Sequence, residues 1–232
     1  MSKIKNLSAE KALEKLKAGN KNFVSDKLEG NLQDAARRKS LASGQNPYAI
    51  ILSCADSRVV PELAFDSGLG EIFVIRVAGN VANTSTTASI EYAVAHLGVK
   101  LIVVLGHESC GAVTAAIGGG DNGYNLNHLL SHISPAIAAS RKKDVNSVVK
   151  KNAKMTCKDL VSRSEIIRNA TEKKIGELHI VPAYYNLGTG KVNFLSDLDV
   201  VNLVAPSANI SIGSASGLDK VVGEELLSQN II

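Results

Sequence analysis

A chain of 232 residues and 24.4 kDa is long enough for one sizeable core and sits in the range that a single α/β domain occupies. Its 45% hydrophobic and 21% charged residues are near the globular average, which excludes a disordered chain, and no apolar run nears the ~18 residues of a membrane-spanning helix. The net charge of +4 is spread out apart from Arg37-Arg38-Lys39, Arg141-Lys142-Lys143 and Lys150-Lys151, and with 4% aromatics these clusters read as solvated helix faces. Neither nucleic acid nor membrane is expected as a partner. Three cysteines are odd in number and too sparse for a disulfide framework, so free thiols in a reducing compartment are expected. Met1 to Lys5 carries no apolar signal run, and the cytoplasm is the expected location.

The first predicted element is a helix from Ala9 to Phe23, with Ala12, Leu13, Leu16 and Phe23 near helical spacing and Ser8 as N-cap. A second runs from Leu32 to Ala42 and stops at Gly44 before the turn signal Asn46-Pro47. Then come three continuous apolar runs, Tyr48 to Ser53, Ile72 to Val77 and Leu101 to Leu105, which read as strands covered on both faces, as in a parallel sheet. Ser85 to Leu97 is helical and ends at Gly98. Strand, helix and strand in that order predict crossover units and an α/β sheet. Gly118 to Asn127 reads as a loop and Leu129 to Ile175 as mostly helical, with an unusually polar stretch from Arg141 to Lys154. Leu178 to Tyr185 and Lys191 to Leu195 flank Asn186-Leu187-Gly188-Thr189-Gly190 as a hairpin. The expected organisation is one domain over 1–232: a helical arm at 1–44, a core at 45–197 and a tail at 198–232 with no structural assignment.

Cys54 and Cys110 fall just beyond the C-terminal ends of predicted strands, where open parallel sheets bind ligands, so the two can meet. His107 precedes Cys110 by three residues, and a turn into the next helix can aim both at one ion while Cys54 arrives from a neighbouring strand. Two thiolates and one imidazole suit Zn²⁺, one per chain, and three protein ligands leave a fourth tetrahedral position open for water. The bland alternative is a pair of buried core thiols beside a satisfied histidine. Against it stands Cys54-Ala55-Asp56-Ser57-Arg58, in which an arginine fork can hold Asp56 ionised beside the metal, either to accept a hydrogen bond from water or to close onto zinc as a fourth ligand.

Cys54-Ala55-Asp56-Ser57-Arg58 together with Gly106-His107-Glu108-Ser109-Cys110-Gly111 resembles the paired signature of the β-class carbonic anhydrases. Arg76-Val77-Ala78-Gly79-Asn80 and Ser89-Ile90-Glu91-Tyr92-Ala93 are similar to that family too, and the likeness runs from about Leu13 to Leu195. It implies a sheet of about four parallel strands with a fifth at the edge, flanked by helices, and an N-terminal helical arm wrapped around a second copy in a homodimer or dimer of dimers. It also implies zinc on Cys54, His107 and Cys110, and Asp56 and Arg58 as the catalytic dyad. Gln45 would donate a hydrogen bond to substrate across the dimer interface, and Phe73 and Tyr92 would line an apolar CO2 pocket. The implied reaction is reversible hydration of CO2 to bicarbonate and a proton.

The likeness has one gap. Members with an inhibitory bicarbonate site carry tryptophan three residues before the first cysteine ligand, an arginine at the position of Arg76, and a late tyrosine such as Tyr184 or Tyr185. Here Ile51 stands at the tryptophan position, so strong allosteric inhibition by bicarbonate is not expected. Cys157, His96, His128, His132 and His179 are read as bystanders. A cysteine phosphatase loop needs five residues between cysteine and arginine, against three here, and Gly106 to Gly111 puts Glu108 where a dinucleotide fold needs its second glycine. The alternatives that stay open are a CS2 or COS hydrolase with the same ligands and a non-catalytic zinc module.

Overall fold

The computed structural model describes residues 7–30, 32–172 and 177–195. In chain order the elements are α1 (Ala9–Val24), α2 (Ala35–Leu41), β1 (Ala49–Ser53), α3 (Pro61–Ala64), β2 (Ile72–Arg76), a 3-10 turn (Ala78–Asn80), α4 (Thr84–Leu97), β3 (Leu101–His107), α5 (Gly111–Gly118), α6 (Tyr124–Ser131), α7 (Ser134–Ala139), α8 (Val145–Arg163), α9 (Glu165–Thr171), β4 (His179–Tyr185) and β5 (Val192–Phe194). They form a sheet of order β2-β1-β3-β4-β5, parallel throughout except for β5, which runs antiparallel to β4. The expected four parallel strands with an edge strand are therefore present. The tail at 198–232 lies outside the described residues.

Why the central strands read as unbroken apolar runs is visible in their burial. Every residue of β1 and β3 is buried. Ala49, Ile51, Leu101, Val103 and Leu105 point into one cluster, shared with Ala12, Leu13 and Leu16 of α1 and with Phe65, while Ile50, Leu52, Ile102 and Val104 point into the other, shared with Ile90 of α4, Ala153 and Leu160 of α8 and Ile167 of α9. Each face of the pleat is thus covered by helices. β2 is the edge, and its four apolar residues are only partly buried.

Ser8 caps α1 as expected, accepting from Lys11 N–H, and the apolar stripe of the helix lies on the chain's own sheet. Asn20 locks it there: its amide donates to Ala64 O and Gly190 O at 2.9 Å each, and its Oδ1 accepts from Val192 N–H at 2.9 Å. α2, by contrast, buries none of its residues. Two boundaries differ from the sequence reading. β3 runs on to His107, because Gly106 and His107 continue the ladder with Tyr184 and Tyr185. The expected loop at Gly118 to Asn127 shrinks to 119–123 as α6 begins at Tyr124, and the long helical stretch after it breaks into four helices, one restarted by Pro135 in its first turn.

Gly19 is required by a close approach, since a Cβ there would lie 1.9 Å from Phe65 O. Gly19→Ala should lift α1 off α3 and lower the urea midpoint by an amount equivalent to about 1–3 kcal/mol; an unchanged midpoint would mean that α1 is not docked in solution.

Candidate metal centre

The chain leaves β1 for β2 on one side and reaches β3 on the other, so the gap beyond the C-terminal ends of β1 and β3 is the point where strand order reverses, the place where open α/β sheets take ligands. Cys54 follows the last residue of β1, His107 ends β3, and Cys110 is the N-cap residue of α5 two positions beyond Glu108. Their ligand atoms all lie within 4.8 Å of one another, with the two sulfurs 4.0 Å apart, and all three residues are buried. Among the described residues no other group of three or more such side chains converges in this way.

The donor set passes a fit test for a soft dication. His107 Nδ1 lies 2.9 Å from Glu108 O, and since a carbonyl can only accept, Nδ1 carries the proton and Nε2 is left with a lone pair. That Nε2 is buried with no hydrogen-bond partner. A satisfied core histidine would not leave an acceptor orphaned in a wall of Val81, Val113, Ile133, Val148 and Val149, whereas a ligand histidine does. The thiols are prepared as well. Cys54 is shifted down chiefly because Cys110 donates to its sulfur, with burial opposing and the N–H groups of Gly79 and Asp56 helping; Cys110 is shifted up because its proton is held in that bond and because it is buried. One thiol ionises readily, and a cation between them would release the second proton.

Asp56 stands beside this cluster, its Oδ2 3.9 Å from His107 Nε2. Arg58 grips it as a fork, Nε to Oδ1 at 2.9 Å and Nη2 to Oδ2 at 2.8 Å, and the Arg58 backbone N–H adds a third bond to Oδ1 at 3.0 Å. The fork holds the carboxyl well below the usual carboxylate range despite some opposing burial. Arg76 then fixes the loop, donating to Cys54 O at 3.0 Å and to Asp56 O at 2.6 Å.

Sequence reasoning left several supporting residues without a role. Gly79 N–H donates to Cys54 Sγ at 3.4 Å and its carbonyl accepts from the buried Asn152 of α8 at 2.8 Å. Gly79 has φ +72° and a Cβ there would meet Ile133 Cδ1 at 2.8 Å, so only glycine can present both groups. Asn146 accepts from Ser109 N–H at 3.0 Å in the turn to Cys110, and Glu108 accepts from Leu187 N–H at 3.0 Å. The signal for Gly79 was its place in Ala78-Gly79-Asn80; for Asn146 and Asn152, lying in a stretch read as merely polar, the only signal was an amide on an otherwise cationic helix.

Gln45, Phe73 and Tyr92 are not brought to this cluster within the chain. Gln45 is exposed and precedes β1, at the opposite end of the strand from Cys54. Phe73 pairs with Ile50, four residues before Cys54, which is roughly 13 Å back along the strand. Tyr92 is 49% exposed and packs on Phe73 with ring centroids 6.4 Å apart. Of the bystanders, His96 lies against Tyr92, His128 against His132, and His179 4.0 Å from Glu10, while burial pushes the Cys157 thiol up.

A family model described as carbonic anhydrase matches residues 49–192, which holds the four parallel strands and all three ligand candidates. Carbonic anhydrase 2 of Mycobacterium tuberculosis is 39% identical over 183 residues, covering 76% of this chain and 87% of its own length. The chain belongs to the β-class carbonic anhydrases. The carbonic anhydrase of Mycolicibacterium smegmatis is 40% identical over 190 residues, covering 79% of this chain and 91% of that protein. Among solved structures, a tetrameric β-carbonic anhydrase from Sordaria macrospora superimposes with TM-score 0.63 at 27% identity, covering 77% and 94% of the two chains. The Coccomyxa β-carbonic anhydrase in complex with acetazolamide gives TM-score 0.61 at 26% identity over 80% and 82%.

Two outcomes follow for metal loading. Cys110→Ser should be isolated with well under one zinc per chain by atomic absorption. Asn152→Ala, which touches no ligand but frees Gly79 O, should weaken zinc retention against a chelator roughly 10–100-fold.

Proposed function

We propose that this β-class carbonic anhydrase hydrates CO2 reversibly to bicarbonate and a proton, with one zinc ion per chain on Cys54, His107 and Cys110 and with Asp56 and Arg58 as its catalytic pair. The observation that carries the reading is the buried, unpartnered His107 Nε2 facing two thiols beside a carboxylate already clamped by arginine. Cys54, His107 and Cys110 would hold a zinc ion with a position left for water, and the ion would supply hydroxide at neutral pH by lowering the pKa of that water toward ~7.

The chain's own residues supply the rest. The apolar side chains behind the cysteines exclude bulk water from the ligands and strengthen every charge interaction there. Asp56, kept ionised by Arg58 throughout the neutral range, accepts a hydrogen bond from the nucleophile's O–H and so turns its lone pair toward the carbon of CO2. Because both Asp56 oxygens are engaged by Arg58, the carboxylate is better suited to that acceptor role than to closing the metal shell as a fourth ligand, which counts against a purely structural zinc module. The proton released on hydration leaves to buffer.

A second copy completes the pocket. Gln45, Phe73 and Tyr92 sit on a side of the molecule where β2 is an edge strand with only partly buried apolar residues and α2 has no buried residue, surfaces suited to a homodimer or a dimer of dimers. From there Gln45 would donate to the CO2 oxygen on which charge grows, and the Phe73–Tyr92 pair would form an apolar wall. All three cysteines are free, which supports a reducing compartment such as the cytoplasm.

Stopped-flow CO2 hydration on zinc-quantified protein tests the reading. Wild-type activity should rise with pH through one inflection, and since the depressed Asp56 pKa keeps that carboxylate charged on both sides of it, the inflection belongs to water. Asp56→Asn should lower kcat roughly 10–100-fold with zinc retained. Full zinc with no hydration would reject the reaction, and turnover of CS2 or COS in its place would redirect the substrate. Because Ile51 is buried within β1 and Arg76 is occupied by two carbonyls, bicarbonate should inhibit without cooperativity in the same assay; a sigmoidal inhibition curve would contradict this.

A further inference from the structure

The polar stretch from Arg141 to Lys154 is not absorbed by the reaction, and it folds into a feature of its own. Between the end of α7 and the first three turns of α8 lies an open cleft of about 350 Å³ lined by Ser140, Arg141, Lys142, Ser147, Lys150, Lys151 and Lys154. Five of those seven residues are cations. The third cation of the segment, Lys143, turns away and donates to the carbonyls of Ile137 and Ala138 at the end of α7, so it serves as a helix cap while its neighbours face the cleft.

Elsewhere Lys15, Arg58 and Lys100 are paired with the carboxylates of Glu71, Asp56 and Glu177. Among the described residues none of the five cations of the cleft forms an ion pair. The neighbouring Asp144 serves as N-cap of α8: its Oδ1 accepts from Ser147 N–H at 2.9 Å, and hydrogen bonds from Ser147, the side chain first and then the backbone, are the chief reason its carboxyl is lowered, with Lys142 a minor cause. Lys150 stands over the Tyr184 ring at 4.6 Å, which fixes its direction without neutralising it. α8 itself cannot bend away to relieve the repulsion, because Val148, Val149, Asn152 and Ala153 on its opposite side are buried in the cores behind the strand ends.

We propose that this cleft is a binding site for a compact polyanion bearing two or more phosphoryl groups. Five like charges converging on one concavity repel one another and are stabilised by a ligand of opposite charge. Size favours a small molecule, since ~350 Å³ lies within the ~300–1,000 Å³ of small-ligand pockets. A nucleic acid strand would want exposed aromatic platforms, and the one ring here, Tyr184, is buried beneath Lys150. An anionic membrane surface would want apolar side chains beside the charges, and the cleft lining has none.

Inorganic pyrophosphate titrated into the zinc-loaded full chain by calorimetry tests the site, with Lys151→Ala/Lys154→Ala as the paired variant. These two side chains make no contact with the metal ligands, so zinc content and CO2 hydration of the variant should match wild type, and any heat from zinc chelation is common to both proteins and cancels. The expected result is saturable binding to wild type that weakens as salt is raised and that the double variant weakens about tenfold or more. Equal affinity in the two proteins, or no saturable binding at low salt, would overturn the site. A single-stranded oligonucleotide of equal phosphate count binding more tightly than pyrophosphate through the same two lysines would overturn the small-anion assignment in favour of a nucleic-acid surface.

Discussion

The parallel pairing of β1 with β3, from Ile50 opposite Ile102 to Ser53 opposite Leu105, is the constraint on which the site depends. It carries Cys54 and His107 to the same end of the sheet from positions 53 residues apart in sequence. Nothing local holds that register; the two hydrophobic clusters do. A slip of one residue would turn Ile51 and Val103 from one core into the other and displace the ligands along the strand by ~3.3 Å. Each of these wholly buried aliphatic side chains stabilises the fold by about 1.5–3 kcal/mol, so the register is held by far more than the metal site needs.

The site that results is a hierarchy of supports. α8 presses Val148 and Val149 behind the cysteines and reaches with Asn146 and Asn152 to the two turns that carry Cys110 and the Gly79 donor. Arg76 reaches from the end of β2 to the carbonyls of Cys54 and Asp56, and Arg58 completes the carboxylate. Ser109 and Asn80, both at positive φ without being glycine, mark where the backbone bends to make these contacts. The same helix thus has two faces, an inner one that buttresses the candidate metal ligands and an outer one whose cations form no ion pair among the described residues.

Much of this was legible in the sequence because the relevant signals are short-range. Continuous apolar runs announced the buried strands, Ser8 announced the start of α1, Gly98 the end of α4, and the residue types at 54, 56, 58, 107 and 110 carried a donor set that few chemistries share. What escaped depends on distant partners. That β3 continues to His107 is decided by its pairing with Tyr184 and Tyr185, and no pattern within the strand reveals it. The role of Asn152 is set by Gly79, 73 residues away. The separation of Gln45, Phe73 and Tyr92 from the cysteines appears only once β1 is built, because a strand's two ends belong to different sites.

X-ray absorption at the zinc edge of the purified protein tests most directly that the metal is held at this crossing of strands. Two sulfur scatterers at ~2.3 Å with two nitrogen or oxygen scatterers at ~2.0–2.1 Å are predicted, falling to one sulfur or to no bound metal in Cys54→Ser. A shell with no sulfur, or one unchanged by Cys54→Ser, would contradict the assignment of Cys54, His107 and Cys110 as the ligands.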